Sequence, residues 1–347
     1  REAAAPVLPR LVEPPFSLKD KSTLLVRHFK VEGTELVNEA EIRDILAPYE
    51  NRKLTLAQIY EAADKITTLY RDRGYLLAKA YVPAQNATGG TLRIKVVPGK
   101  YGTIAVQNNS LVRDAFLHGV IDHALATSAL IHKDELERTM LLISDLPGAG
   151  MPRVAVNAGR QPETSDFVFD VPAARRIDGY QLFDNFGSPY TGRERLSIGL
   201  NVNSPLGIGD RLSAFGIVSD DINLANGRVA YSLPIGYTGL RAEVAGFRTT
   251  YVLGGIYSGL DATGTADGVS ATLVYALRRT REDSIYLSGG YTHKTLNDNV
   301  FGISLANRTM DLGTIGITRD TFGSIFGHPV TTSTTFSFTG GNVDFPD

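Results

Sequence analysis

Histidine, carboxylate and glycine are the residue types in this chain that could do chemistry, and none sits at a spacing that does it. The six histidines (His28, His118, His123, His132, His293, His328) are scattered, and His118 and His123 lie five apart, so they do not stack on one helix face as metal ligands would. There is no cysteine, which removes disulfides, thiolate metal sites and cysteine nucleophiles together. No G-x-S-x-G, H-E-x-x-H, P-loop or EF-hand spacing occurs. Gly207-Ile-Gly209 lacks the third glycine and the following helix of a dinucleotide site, and reads as a turn. Asp184 and Asp220-Asp221 fall at loop or strand ends, where carboxylates are solvated. The chain therefore reads as a non-enzyme, with no catalytic residue, no metal site and no cofactor expected.

Composition narrows the partners. A net charge of −2 over 347 residues gives no pull toward nucleic acid. No stretch reaches the roughly 18 apolar residues of a membrane helix. The chain starts at Arg1 with no apolar signal core, and reads as a mature or trimmed chain whose address has been removed.

The elements that would position any site change character midway. Up to Arg175 the chain is rich in Lys, Glu and Ala with helical periodicity; beyond it Lys294 is the only lysine, Gly, Ser, Thr, Asn and Tyr become frequent, and alternation takes over. A boundary near 174 follows. Residues 1–23, with four prolines, read as an extended lead-in. Residues 24–99 read as β-α-α-β-β: a strand ending at Gly33; a helix with Asn38 as N-cap, Glu41 as its capping-box partner and Pro48 as its end; a longer helix capped by Thr55 and stopped by Gly74; then strands over 76–85 and 91–100. Residues 100–174 repeat that order in elements rather than identities.

Residues 175–347 carry short period-two segments. Leu196, Ile198, Leu200 and Val202 alternate with Ser197, Gly199, Asn201 and Asn203; Phe336 and Phe338 alternate with Ser337 and Thr339. Turn signals at Pro205–Asp210, Asn226-Gly227, Thr238-Gly239 and Asn297–Asn299 separate them. Strands of about ten residues, apolar on one face and small or polar on the other, are what a lipid-facing barrel requires. A soluble β-sandwich shares this alternation. The segment has room for about eight or nine antiparallel strands, and its last residues, Gly340 to Asp347, suit a turn rather than a closing strand. The expectation is the opening portion of a larger antiparallel barrel, preceded by two α+β domains.

Specific residues carry a resemblance. Gly74-Tyr75, Pro83 and the close of the next strand at Gly99 are similar to the first periplasmic (POTRA) domain of TpsB transporters of two-partner secretion, the haemolysin secretion/activation family within the Omp85 superfamily. Asp184-Asn185-Phe-Gly187 with Gly192 resembles that family's barrel opening, and Asn203-Ser-Pro205-Leu-Gly207-Ile-Gly209-Asp210 resembles its first turn, with Ser204 inserted. The resemblance implies a sixteen-stranded barrel of which about half fits here. The family's late R-G-Y/F loop tip would lie beyond residue 347; Arg73-Gly74-Tyr75 is in the first domain and is not that tip.

The resemblance further implies an outer-membrane pore with periplasmic domains, acting as a monomer, that exports one unfolded secreted exoprotein (TpsA-like). Its partners would be that chain and outer-membrane lipid, with no nucleic acid. An edge strand in the second domain would capture the exoprotein by β-augmentation. The candidate strands are Arg153-Val154-Ala155-Val156-Asn157 and Asp166-Phe167-Val168-Phe169-Asp170, and the sequence does not say which is the edge. Alternatives are an Omp85-type factor that assembles other barrels, disfavoured by only two POTRA-like repeats; a soluble periplasmic interaction protein; and an Omp85-linked lipase, disfavoured by the missing G-x-S-x-G.

Overall fold

The structure is a computed structural model; it describes residues 15–17, 23–87, 89–125 and 130–345. Most of the Pro-rich lead-in therefore lies outside the described residues. The chain divides into two compact units, residues 1–108, 124–137 and 152–170, and residues 109–123, 138–151 and 171–347.

In the first unit, strands β1 (Leu24–Val26) and β2 (His28–Glu32) replace the single strand expected, because the chain changes sheets at Arg27. β1 pairs with β3 (Arg52–Leu54), and β2 runs parallel to β5 (Thr91–Val97). Between them lies helix α1 (Glu39–Leu46), with Asn38 capping the Ala40 amide at 2.9 Å. Glu41 does not close a capping box. It pairs with Arg73, 2.5 Å away, where a guanidinium outbids a neutral amide for the carboxylate. Helix α2 (Leu56–Asp72) does have its box, with Thr55 and Gln58 exchanging bonds. The strand expected over 76–85 shrinks to β4 (Lys79–Tyr81), since residues 75–78 form a turn and Pro83 cannot donate. Ile42, Leu46, Ile59, Ile66 and Tyr70 from the helices close on Leu92 and Ile94 of central β5 in one continuous core.

The same unit holds a second three-stranded sheet, ordered β6 (Lys100–Asn108), β8 (Thr164–Val171), β7 (Arg153–Ala158). The central strand buries Phe167 and Phe169, and Tyr101 packs against Phe167 at 5.0 Å between centroids. Helices α3 (Asp114–Leu125) and α4 (Lys133–Ser144) follow β6 in sequence and are each divided between the two units.

The second unit contains one nine-stranded antiparallel sheet in sequence order, β9 (Ile177–Asp184) to β17 (His328–Asp344), with β9 and β17 at its edges. Its intermediate strands are β10 (Arg195–Asn203), β11 (Arg211–Ser219), β12 (Leu224–Ile235), β13 (Leu240–Val252), β14 (Thr263–Arg279), β15 (Asp283–Val300) and β16 (Ile303–Ile325). Register fixes the faces. Ile198, Val229, Val244, Leu273, Ile315 and Phe338 stand on one side, all exposed, while Ser197, Asn201, Asn203, Arg211 and Ser213 occupy the other. A sandwich would cover that apolar face with a second sheet; here one sheet leaves it bare, as a barrel wall in hydrocarbon does.

Candidate functional site

Strand order decides which backbone can accept a guest. β8 has a neighbour on each side, so Asp166, Phe167, Val168, Phe169 and Asp170 have their pairing groups engaged, and this strand is not a docking edge. Among the described residues β7 has a strand on one side only, and Arg153, Ala155 and Asn157 project from it into solvent while Val154 and Val156 are half-buried. β6 forms the opposite edge. Its first residue forms a bridge with Leu130, and the Ile131 amide reaches Gly99 O at 3.2 Å.

The edges of the first sheet are occupied in part. Pro15 bridges Pro83, and the Phe16 amide donates to Val82 O at 2.8 Å beyond β4. On β2 the Phe29 amide donates to the Glu50 carboxylate at 3.0 Å. A side-chain acceptor there takes a donor that a guest strand would need.

The glycine motifs serve close approach. At Gly74 (φ +96°) a Cβ would lie 2.5 Å from the His132 ring, and Tyr75 meets that ring edge-on at 5.2 Å. His132 is thus a packing residue. Asp184 accepts from the Phe186 amide at 3.0 Å and from the Arg195 guanidinium at 2.9 and 2.8 Å, clamping the start of the β9–β10 loop beside Asn185. Across that loop the Gly187 amide bonds Arg193 O, and any Cβ on Gly187 would fall 2.0 Å from Gly192 O.

The β10–β11 turn is built around Asp210, which is fully buried. Its carboxylate accepts from the Leu206 amide at 3.1 Å and the Tyr231 hydroxyl at 2.7 Å, and the inserted Ser204 takes the Gly209 amide at 3.0 Å. Pro205 follows Ser204 within this turn. Gly207 O receives the Arg113 amide at 2.8 Å, and Gly209 packs on Leu146. Two further groups in the same unit were invisible in sequence. Asp145 grips Arg279 with two bonds of 2.8 Å, and Arg138 donates to Ala276 O at 2.8 Å. Tyr237 completes the seat, its ring 5.2 Å from Phe116 and against Gly119. These contacts join segments more than a hundred residues apart, and no local periodicity announces them. Among the described residues, no cluster of three or more metal-ligating side chains occurs.

A profile of the ShlB-type POTRA domain matches residues 24–99, and one described as haemolysin secretion/activation protein ShlB/FhaC/HecB matches residues 163–334. The chain belongs to the haemolysin secretion/activation family. Members of this Omp85-superfamily group are TpsB transporters of the outer membrane with periplasmic N-terminal domains. The heme/hemopexin transporter protein HuxB of Haemophilus influenzae is 31% identical over 278 residues, which is 80% of this chain and 49% of that one. The outer membrane transporter CdiB of Dickeya dadantii is 21% identical, over 90% of this chain and 56% of its own. The chain thus spans about half the length of the curated relatives it matches. In fold it is similar to CdiB from Escherichia coli, with TM-score 0.73 and 22% identity over 96% of this chain and 62% of that structure. For a haemolysin secretion/activation protein the sheet β9–β17 is outer-membrane barrel wall, and the units before it are periplasmic.

Proposed function

We propose that this protein exports an unfolded exoprotein across the outer membrane, and that residues 24–99 and 100–174 act as two POTRA domains that receive it. Two observations carry this reading: β7 is an edge strand, and the sheet β9–β17 has two faces that differ in polarity. β7 offers unpaired main-chain groups to an extended guest, which needs no particular side chains to bind. The inner face, with Asn201, Ser213, Arg228 and Glu243, gives a passing chain a polar surface without strong apolar sticking. The apolar face meets outer-membrane lipid, and the protein works as a monomer.

Affinity tests the capture step. Full-length protein in detergent is titrated with the unfolded N-terminal segment of the exoprotein, with proline placed singly along Arg153–Asn157. Proline removes one ladder donor per site, so alternate positions weaken binding by about tenfold, given roughly 1 kcal/mol per lost bond and added steric cost. Alanine at Arg153 and Asn157 has a smaller effect. Unchanged affinity at every position would refute capture at this edge.

A further inference from the structure

One row of the inner wall is unlike the rest. Register aligns Tyr180 of β9, Gly199 of β10, Phe215 of β11, Arg228 of β12, Phe247 of β13 and Gly268 of β14 side by side on the polar face. Lys294 of β15 continues it. The same face carries other apolar side chains, Leu182, Ile217, Tyr251 and Leu312 among them, and what sets this row apart is a run of rings on alternate strands in one register with two cations.

The glycines show how the rings lie. A Cβ on Gly199 would sit 2.4 Å from the Tyr180 ring, and one on Gly268 would sit 2.4 Å from the Phe247 ring. The Tyr180 and Phe247 rings therefore lie over the neighbouring backbone, which only glycine permits. Rings so placed do not narrow the lumen, yet they present a π-face to it. Tyr180 is 57% exposed despite this packing. The row is also oblique to the wall. Phe215 stands at the middle of the short β11 (Arg211–Ser219), about four residues from the β10–β11 turn, whereas Lys294 stands about eleven residues along β15 from its start at Asp283. It runs from the periplasmic end outward.

We propose that Tyr180, Phe215 and Phe247, with Arg228 and Lys294, form a contact stripe for the side chains of an unfolded polypeptide in transit. The occupant is an extended chain bearing aromatic and aliphatic residues. The rings hold such side chains briefly by stacking, and the two cations, Lys294 and the Arg228 that also bonds Glu243, add contacts to aromatic faces and backbone carbonyls. No ring forms a closed pocket, so each contact is weak and the chain passes from one to the next. The proposal rests on the export reading above and adds where the passing chain touches the wall.

The test uses the full-length protein in a planar bilayer, probed with a synthetic unstructured peptide bearing Phe and Leu and with the same peptide bearing Ser instead. Residence of the peptide in the pore is read as the duration of current block. The Phe/Leu peptide should block longer than its Ser counterpart. Phe215→Ala, Tyr180→Ala and Phe247→Ala should each shorten that block by about threefold, the range of one aromatic contact, with the Ser peptide unaffected. Phe247→Leu keeps bulk over Gly268 and covers the case where alanine hinders assembly; it should fall between wild type and alanine. Gly268→Ala should lift the ring from the wall and lower the open-pore current. Equal block durations for the two peptides, or durations unmoved by all these ring substitutions, would overturn the stripe. Secretion of the exoprotein by wild type in cells is scored separately. Its failure beside a ring-dependent block removes the export reading and leaves the stripe standing.

Discussion

At the residue scale, the glycines and the turn aspartate were legible and the long-range ion pairs were not. Gly192, Gly207 and Gly209 take the positive φ expected of turn glycines, which only glycine enters without strain; Gly187, expected to do the same, does not, and is needed instead for the 2.0 Å approach of Gly192 O to where its Cβ would lie. Asp210 is a single buried carboxylate holding a turn through amide and hydroxyl donors. Asp210→Ala should leave those donors unpaired and destabilise the assembled barrel by about 2 kcal/mol, seen as a lower temperature for loss of the compact band on unheated gels. Glu41 departs from its capping-box spacing because Arg73, at the C-terminal cap of α2, takes its carboxylate, and a local motif cannot show that partner. Tyr70 offers a pH handle. Burial pushes its phenol from 10.0 up to about 12, with the hydroxyl donating to Gly33 O at 2.7 Å. A folded value above the unfolded one means the contribution is complete below about pH 10 and is lost as pH rises toward 12. Residues 24–99 should thus lose stability over that window, and Tyr70→Phe should flatten the loss, as followed by urea melts at each pH.

Element by element, periodicity was the reliable guide and neighbour relations were not. The alternation at 196–203 and 336–339 gives strands and faces directly, since a strand's side chains have period two. Strand order needs pairing partners from elsewhere in the chain. That is why Asp166–Asp170 and Arg153–Asn157 looked equivalent in sequence, although one is central and the other an edge. The same ignorance of cross-strand neighbours affects Gly199, which looked like an innocuous lumen position yet lies under Tyr180. Ile198→Arg puts a charge on the apolar face and should cost about 2–4 kcal/mol near the bilayer midplane, strongly reducing assembled barrel. Asn201→Ser on the opposite face is the proper control and should assemble normally. Equal assembly of the two variants would mean that the faces are reversed.

For the whole molecule, residues 24–99 together with Phe16 of the lead-in share one closed core, from Phe16 and Val26 to Ile94 and Val96. A fragment carrying the lead-in and this unit should unfold cooperatively in urea with helical circular dichroism intact in plain buffer. Residues 100–174 are a different matter, because α3 and α4 are each divided between the compact units, and Arg138 of α4 and Asp145 just after it bond Ala276 and Arg279 at the end of β14. The sequence read those residues as an independent domain, for their helix and strand signals are complete locally; the contacts at Arg138 and Asp145 come from far along the chain. The measurement that most directly tests this account is removal of the protein from its own cells, with the exoprotein and the other outer-membrane barrels both followed. Export predicts that the exoprotein stays in the periplasm while the other barrels assemble normally. Barrels that fail to assemble while the exoprotein still reaches the medium would contradict it and identify an assembly factor instead.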